Sequence, residues 1–457
     1  MSLNVKGFFK NLSRDILSGV EQKLWDKVDP AADYSSPKSS EDYRPGDIII
    51  EKISIISNDQ QRAGPIMENV TELHIYESII YPTMFCEMTI ADASGKYERF
   101  PFTTDEIIEF TIRTPGNEES KNYIFAVNEV KNKEVLPNNK MVKYTLQLIS
   151  PELKRSIGNP ITKSFTGTIS ELITDILKED VGTQKKLTVE PSTGIIDKTI
   201  GPRFPFAMIH EHYLDADNRR DNNGVYVFFE NSNGYNLVTY EKLIKDGRKS
   251  IDKGTSTKSF VFTTDRNADV GAIKFRNILA YNQSKFCDTS TLIAMGGLNS
   301  TAMPYSFATG AGERAQYKET EDGESLPTSD TNGTKLIGTN FIRQYERNSI
   351  TNMLIAVNYE MRPNSKIAEV LVKRNAFLQR LQQIEAQIFI YGDTNLAVGD
   401  VIECSFPSSA DAEDDKGESR LDSGNYLITH LRHMIINTDR PQHVIACNLM
   451  KAGMLGK

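Results

Sequence analysis

The sequence predicts an α+β protein that is mainly β: two antiparallel β-barrel domains, a small α+β domain and an N-terminal helical arm. Three observations carry this. Apolar residues alternate with period two through 48–150 and return to strand-like runs in 258–295 and after 384. The stretch between 151 and 257 mixes helical spacing with a hairpin signal. A segment rich in Pro, Ser and acidic residues, 29–46, separates all of this from the amino end.

The arm comes first. Val5, Phe8, Phe9, Leu12, Ile16, Val20 and Leu24 recur every three or four residues, which puts them on one helix face opposite Lys10, Arg14 and Lys23. A short amphipathic helix ahead of a linker cannot bury that stripe on itself, so it docks on its own body, a neighbouring subunit or a membrane surface. The basic face is thin for a lipid anchor. Phe8, Phe9, Leu12, Ile16 and Val20 are therefore the candidate partner-binding residues, and 1–45 is an arm of helix and linker.

Residues 46–150 are the first β domain, with the strand count of a small antiparallel barrel or sandwich. Met84, Cys86, Met88 and Ile90 alternate with Thr83, Phe85, Glu87 and Thr89, and Val142, Tyr144, Leu146 and Leu148 alternate with Lys143, Thr145 and Gln147. Further strands are expected at 48–56, 72–80, 106–114 and 123–131, between turn-prone pieces at 115–117 and 137–139. The α+β domain, 151–257 plus 296–365, opens its first helix with Thr168 and Glu171 spaced as a capping box. Pro205 starts a second helix to about Leu214. A hairpin follows, 225–230 and 235–240 around the turn 231–234.

The second barrel is assigned to 258–295 plus 366–457, with strands expected at 275–284, 291–295, 386–391, 401–406, 425–435 and 443–450. The Gly-, Ser-, Thr-, Asn- and Asp-rich stretch 296–340 reads as a long, poorly packed loop. A helix of about twenty residues, capped by Asn364 or Ser365, carries Ile367, Val370, Leu371, Leu378, Leu381 and Ile384 on its apolar stripe.

Composition narrows the function. Lys and Arg total 53 against 61 Asp and Glu, and the net charge of −8 argues against a nucleic-acid reader. The four cysteines form no C-x-x-C pair or zinc spacing, and no apolar run reaches a membrane span. The chain is expected to be made in a reducing cytoplasm.

Signatures of chemistry are weak. Gly310, Gly312 and Ala315 match G-x-G-x-x-A inside the loop-like region, with no strand before them. His210, Glu211, His212, Asp215 and Asp217 are the densest ligand cluster, yet i, i+2 histidines on a helix diverge, so a polar helix end is the better reading. Asp411, Glu413, Asp414 and Asp415 read as a solvated acidic loop, and His430 and His433 fall on opposite faces of a strand. No cofactor, metal or catalytic residue is expected, although paired carboxylates for sugar hydrolysis meet only in a fold.

Four segments in order resemble the baseplate hub proteins of contractile-tailed bacteriophages: 144–152 (YTLQLISPE), 164–177 (SFTGTISELITDIL), 205–210 with 224–231 and 234–243, and 390–402 (IYGDTNLAVGDVI) with 423–433. The last pair is the most specific, a G-D-x-[IV] turn before a strand that completes a barrel. The resemblance implies that both barrels are tail-tube-like and that the chain is a non-enzymatic homotrimer in the virion, assembled in the host cytoplasm. It implies a tail tube protein above, a trimeric central spike below and neighbouring baseplate proteins at the arm. Rival expectations are a tail-associated cell-wall or glycan hydrolase and the hub of a phage-derived injection device.

Overall fold

The computed structural model describes residues 43–56, 63–93, 95, 104, 106–136, 141–214, 216–217, 224–252, 258–262, 275–305, 315–318, 321, 353–358, 367–408, 418–419 and 421–451. The arm, with Phe8, Phe9, Leu12, Ile16 and Val20, lies outside them. The chain is mainly β, as its alternation predicts, and it closes two rings of strands.

The first ring uses β1 (Ile49–Ile56), with the short β2 (Ala63–Pro65) beside it, β3 (Val70–Ser78), β4 (Phe85–Asp92), β5 (Ile107–Arg113), β6 (Lys121–Leu136) and β7 (Met141–Ile149). Hydrogen bonding runs β3-β4-β7-β6-β5-β1. The alternation forecast for β4 is realised: Met84, Cys86, Met88 and Ile90 point into one core with Leu73, Phe110, Phe125 and Leu146.

Between the rings lie helix α1 (Pro151–Gly158), β8 (Ile161–Gly167), α2 (Ile169–Asp175), β9 (Leu187–Val189), β10 (Ile196–Arg203), α3 (Pro205–Tyr213), the hairpin β11 (Tyr226–Asn231) and β12 (Gly234–Thr239), and α4 (Tyr240–Asp252). Thr168 caps α2 as its spacing predicts: its hydroxyl accepts the Glu171 amide at 3.3 Å, and Glu171 accepts the Thr168 amide at 2.8 Å. A π turn, Ile176–Asp180, continues the helix. The turn of the β11–β12 hairpin tightens to Ser232 and Asn233. Gly234 follows at φ +120°, where a Cβ would stand 2.2 Å from the Lys186 carbonyl oxygen.

The second ring is β13 (Ser259–Val261), β14 (Ile278–Phe286), β18 (Ile384–Tyr391), β19 (Val401–Ser405), β20 (Gly424–Ile436) and β21 (Gln442–Lys451). An insertion between β14 and β18 holds α5 (Thr289–Ala294), β15 (Asn299–Tyr305), β16 (Ala315–Lys318), β17 (Met353–Asn358) and α6 (Ile367–Leu381). The ring runs β14-β18-β21-β20-β19-β13 and closes where Val261 bridges Asn277, just before β14. One departure from antiparallel pairing is that β13 lies parallel to β19.

Three readings are corrected here. Residues 291–294 belong to a helix, α5, capped by Met295, because the Asp288 carboxylate accepts the Thr291 amide at 3.1 Å and starts a turn that β-branched side chains alone do not suggest. The stretch 296–340 is not wholly a loop: β15, β16 and β17 form a sheet, and Asn299, Ser300, Thr301 and Tyr317 are fully buried. Helix α6 ends at Leu381, so Ile384 is a strand residue, and Val372, Ala376 and Phe377 supply its deepest contacts. The caps proposed at Asn364 and Ser365 fall outside the described residues, as do Gly310 and Gly312.

Counted by order in the chain, the six strands of the second ring run first, second, third, sixth, fifth, fourth. The first ring follows the same order through β1, β3, β4, β7, β6 and β5. Two of their register slips coincide as well, while further slips in β6 after Lys131 and in β14 after Gln283 are particular to one ring. Register slips after Val127 of β6 against β7, and after Ile428 of β20 against β21. It slips again after Val70 of β3 against β4, and after Ile278 of β14 against β18. Bulges bend strands and mark definite positions, so two coincident bulges in one strand order identify a structural repeat.

The repeats differ at one seam. In the first ring β1 and β3 do not meet. The β20–β21 hairpin of the second ring fills the gap, with β20 antiparallel to β3 and the lead-in residue Asp47 bridging Gln442 of β21. The hairpin therefore belongs to both rings and is apolar on both faces. Leu427, Leu431 and Ile445 face the second core, Ile435 faces the first, and Met434, Val444 and Ala446 pack under the helices.

Candidate functional site: the shared hairpin and its polar locks

A hairpin common to two rings holds them only if the buried polar groups around it are matched, because an orphaned donor or acceptor there costs about 1–3 kcal/mol. Four locks do this. Glu77, near the end of β3, is 1% exposed; its two oxygens accept the amides of Ser232 and Val398, each at 2.9 Å. One carboxyl thus ties the first ring, the β11–β12 turn and the second ring. Burial pushes it up to about 8, against the pull of those two amides.

The second lock is ionic. Glu230 of β11 accepts the Met84 amide at 3.0 Å and pairs with Lys185, which also holds Glu152 at 2.8 Å; Thr183 donates to Glu152 at 3.0 Å. Burial raises Glu230. It opposes ionisation of Glu152 too, but the Lys185 ammonium and hydrogen bonds hold Glu152 below the usual carboxylate range.

At the entry to β1, Asp47 takes both guanidinium arms of Arg440, with Nε at 2.8 Å, and also accepts Gln442 at 3.1 Å and the Arg44 amide at 2.8 Å. Such bidentate pairing fixes geometry as well as charge. On the far side Thr114 and Thr394 exchange bonds: the Thr394 amide donates to the Thr114 hydroxyl at 2.9 Å and the Thr114 amide to that of Thr394 at 3.2 Å.

Inside the hairpin, His433 Nδ1 and His443 Nε2 lie 2.9 Å apart and both rings are fully buried. One nitrogen donates and the other accepts, as the tautomers decide, and burial disfavours a charge on either ring. Burial depresses both, His433 to about 3, and His443 is lowered further by its neighbour.

These buried groups predict an opposed pH response. A histidine held neutral stabilises the fold above its free value of 6.5, and that stability is lost as pH falls toward the depressed value. Glu77 and Glu241, both pushed up to about 8 by burial, contribute fully below 4.5 and lose that contribution as pH rises through 8. The thermal midpoint is expected to peak between 4.5 and 6.5 and to fall on either side. Melting curves across roughly pH 4 to 9 check this, and Glu77→Gln should flatten the alkaline limb; a midpoint still rising above pH 8 would exclude it.

His433 was legible only as a strand residue. Its partner His443 sits diagonally across the hairpin, and the apolar runs on either side of 437–441 are the signal that brings them together. His430, three residues away, is half-buried beside Thr429. His210 and His212 lie on α3, where His210 packs edge-on against Tyr213 at 5.5 Å. Asp217 is instead buried and bridged to Thr193, while Asp215 and the acidic residues Asp411, Glu413, Asp414 and Asp415 lie outside the described residues. Among the described residues, no three His, Cys, Asp or Glu side chains gather as a metal site, and no helix is long and apolar enough to cross a membrane. Glu77, Glu230 and Lys185 carried no sequence signal, since their partners are backbone amides and charges far away in the chain.

No family model matches the sequence, and no curated protein matches it. Solved structures do. A tail protein from Neisseria meningitidis MC58 aligns with a TM-score of 0.51 at 10% identity, covering 88% of this chain and 96% of that one. The 43 kDa tail protein of prophage MuSo2 from Shewanella oneidensis aligns with a TM-score of 0.51 at 11% identity, covering 88% and 98%. This chain has the fold of those tail proteins.

Proposed function

We propose that this protein is a structural part of a phage tail, the central hub of a contractile baseplate, acting as a homotrimer between a hexameric tail tube and a trimeric central spike. The observation that carries the reading is the repeat: two rings of one strand order, bound rigidly by a shared hairpin. Three such chains around an axis present six like modules on one face while keeping threefold symmetry on the other. Closed symmetries of different order can then share an axis without leaving unmatched surface. The tail-protein fold supports the same setting, the virion tail baseplate.

In this role the chain binds and positions, with no catalytic residue or cofactor. The arm, through Phe8, Phe9, Leu12, Ile16 and Val20, clasps a neighbouring baseplate protein. Light scattering on the purified full chain tests the central element. The expected result is three times the monomer mass; a monomer at every accessible concentration would remove the adapter.

A further inference from the structure

The repeat relates an occupied edge to a vacant-looking one. Inside the chain, the outer part of β20 docks on β3, with Met434 opposite His74 and Ile435 opposite Leu73. There the β20 residues His433, Met434 and Ile435 are 0%, 2% and 0% exposed. Their counterparts in the first ring are identified through the partner strands. Lys131 pairs with Thr145 as Arg432 pairs with Ala446, and after a second register slip Glu134 pairs with Lys143 as Met434 pairs with Val444. Glu134 and Val135 of β6 thus stand where Met434 and Ile435 stand in β20.

Yet this stretch projects into solvent. The ladder to β5 ends at Ala126, residues 132–135 are exposed, and Val135 is 60% exposed. The receiving strand is repeated too. Tyr281 pairs with Ile388 as Leu73 pairs with Met88, and Asn282 with Gln387 as His74 with Glu87, so β14 is the counterpart of β3. Leu73, Ile75 and Tyr76 are buried, whereas their counterparts Tyr281, Gln283 and Lys285 are only half-buried and Asn282, Ser284 and Phe286 on the other face of β14 are exposed.

We infer that the outer part of β6 in one protomer docks antiparallel on β14 of a second copy of this chain, repeating between subunits the β20–β3 junction made within one. Transferring the register puts Glu134 opposite Asn282 and Val135 opposite Tyr281. No like charges face each other at these two positions, and the exposed Val135 gains an aromatic neighbour. The contact is head to tail: each protomer offers β6 forward and β14 behind, which yields a ring if the rotation closes and a filament if it does not. The inference rests on the hub reading only for the number of copies.

Disulfide trapping tests the register, because directly opposed strand residues lie within the 4.4–6.8 Å Cα separation a disulfide needs. In full-length protein with Cys287→Ser, to remove the half-buried native thiol, Glu134→Cys combined with Asn282→Cys should cross-link chains on oxidation. Glu134→Cys with Gln283→Cys, one residue out of register, should not. Val135→Asp, a change at an exposed position, should weaken self-association at least tenfold while leaving the monomer's melting temperature unchanged. A trimer that gives no 134–282 cross-link, or that persists with Val135→Asp, overturns this edge pairing and leaves the hub reading standing. Cross-linked open filaments keep the pairing and overturn the trimer. A monomer without cross-links overturns both.

Discussion

Glu77→Ala is expected to lower the free energy of unfolding by about 3–5 kcal/mol, from two orphaned amides at ~1–3 kcal/mol each and the space left by the carboxyl. The effect is large because Glu77 is the acceptor shared by Ser232 in the middle segment and Val398 in the second ring, while its own strand lies in the first. Removing it unpairs the buried Val398 amide and the half-buried Ser232 amide and loosens three parts of the molecule at once. Glu77→Gln keeps one acceptor oxygen and turns an amine toward the other amide, so about half the loss is expected. Urea melts of the two variants beside Glu51→Ala supply the comparison. Glu51 is an exposed surface partner of Arg113, and its loss should barely move the midpoint. A Glu77→Ala midpoint within the range of Glu51→Ala would show that the three parts do not depend on this lock.

Gly392→Ala is expected to cost about as much, at the end of β18. A Cβ at this position would lie 2.0 Å from both Cγ and Nδ1 of His443 and 2.6 Å from its Cβ. The Gly392 amide also donates to the His443 carbonyl at 2.9 Å, which holds the two backbones together. The histidine has nowhere to go, since its ring is buried against His433. Overpacking of this kind typically costs about 1–3 kcal/mol, and losing the buried imidazole hydrogen bond adds about 1–3 more. If the clash is the cause, His443→Ala should restore part of the stability in the Gly392→Ala background while destabilising the wild type. Simple additivity of the two changes in a double-mutant cycle would refute the steric account.

Both predictions act on the hairpin that two rings share, and this is where sequence and structure part company. The alternation of Met84, Cys86, Met88 and Ile90 announces a strand with one face in a core, and that is their place. The β20 segment is buried at nearly every position although Asn425, Thr429, His430, Arg432 and His433 are polar by type, so its pattern reads as a strand with one face in a core. What lies on its second side is not in the local pattern. Arg432 and His433 look like solvent-facing residues by type, but the guanidinium stacks over Tyr76 at 5.2 Å and the imidazole is sealed in.

The misreadings have the same origin. Asn299, Ser300 and Thr301 have the composition of a loop, yet they are fully buried in β15 because β16 and β17 satisfy its backbone and α6 packs against the sheet. Helix α4 gives little signal in the sequence because its lysines and acids hide a narrow apolar face on which Ile244 alone is fully buried. Thr289 to Ala294 has strand-forming side chains, but one cap at Asp288 decides for a helix.

By itself the sequence determined the strand-rich class, the capped helix at Thr168, the helix at Pro205 and the tight hairpin before Gly234, because each depends on side chains within a few residues of one another. Only the tertiary structure decided that β20 and β21 close two rings, that Glu77 and Lys185 become locks, and that the two rings are repeats. Those outcomes depend on strand order and register between segments hundreds of residues apart, and with so little residue-by-residue likeness between the repeats, matching bulges rather than matching side chains reveal them.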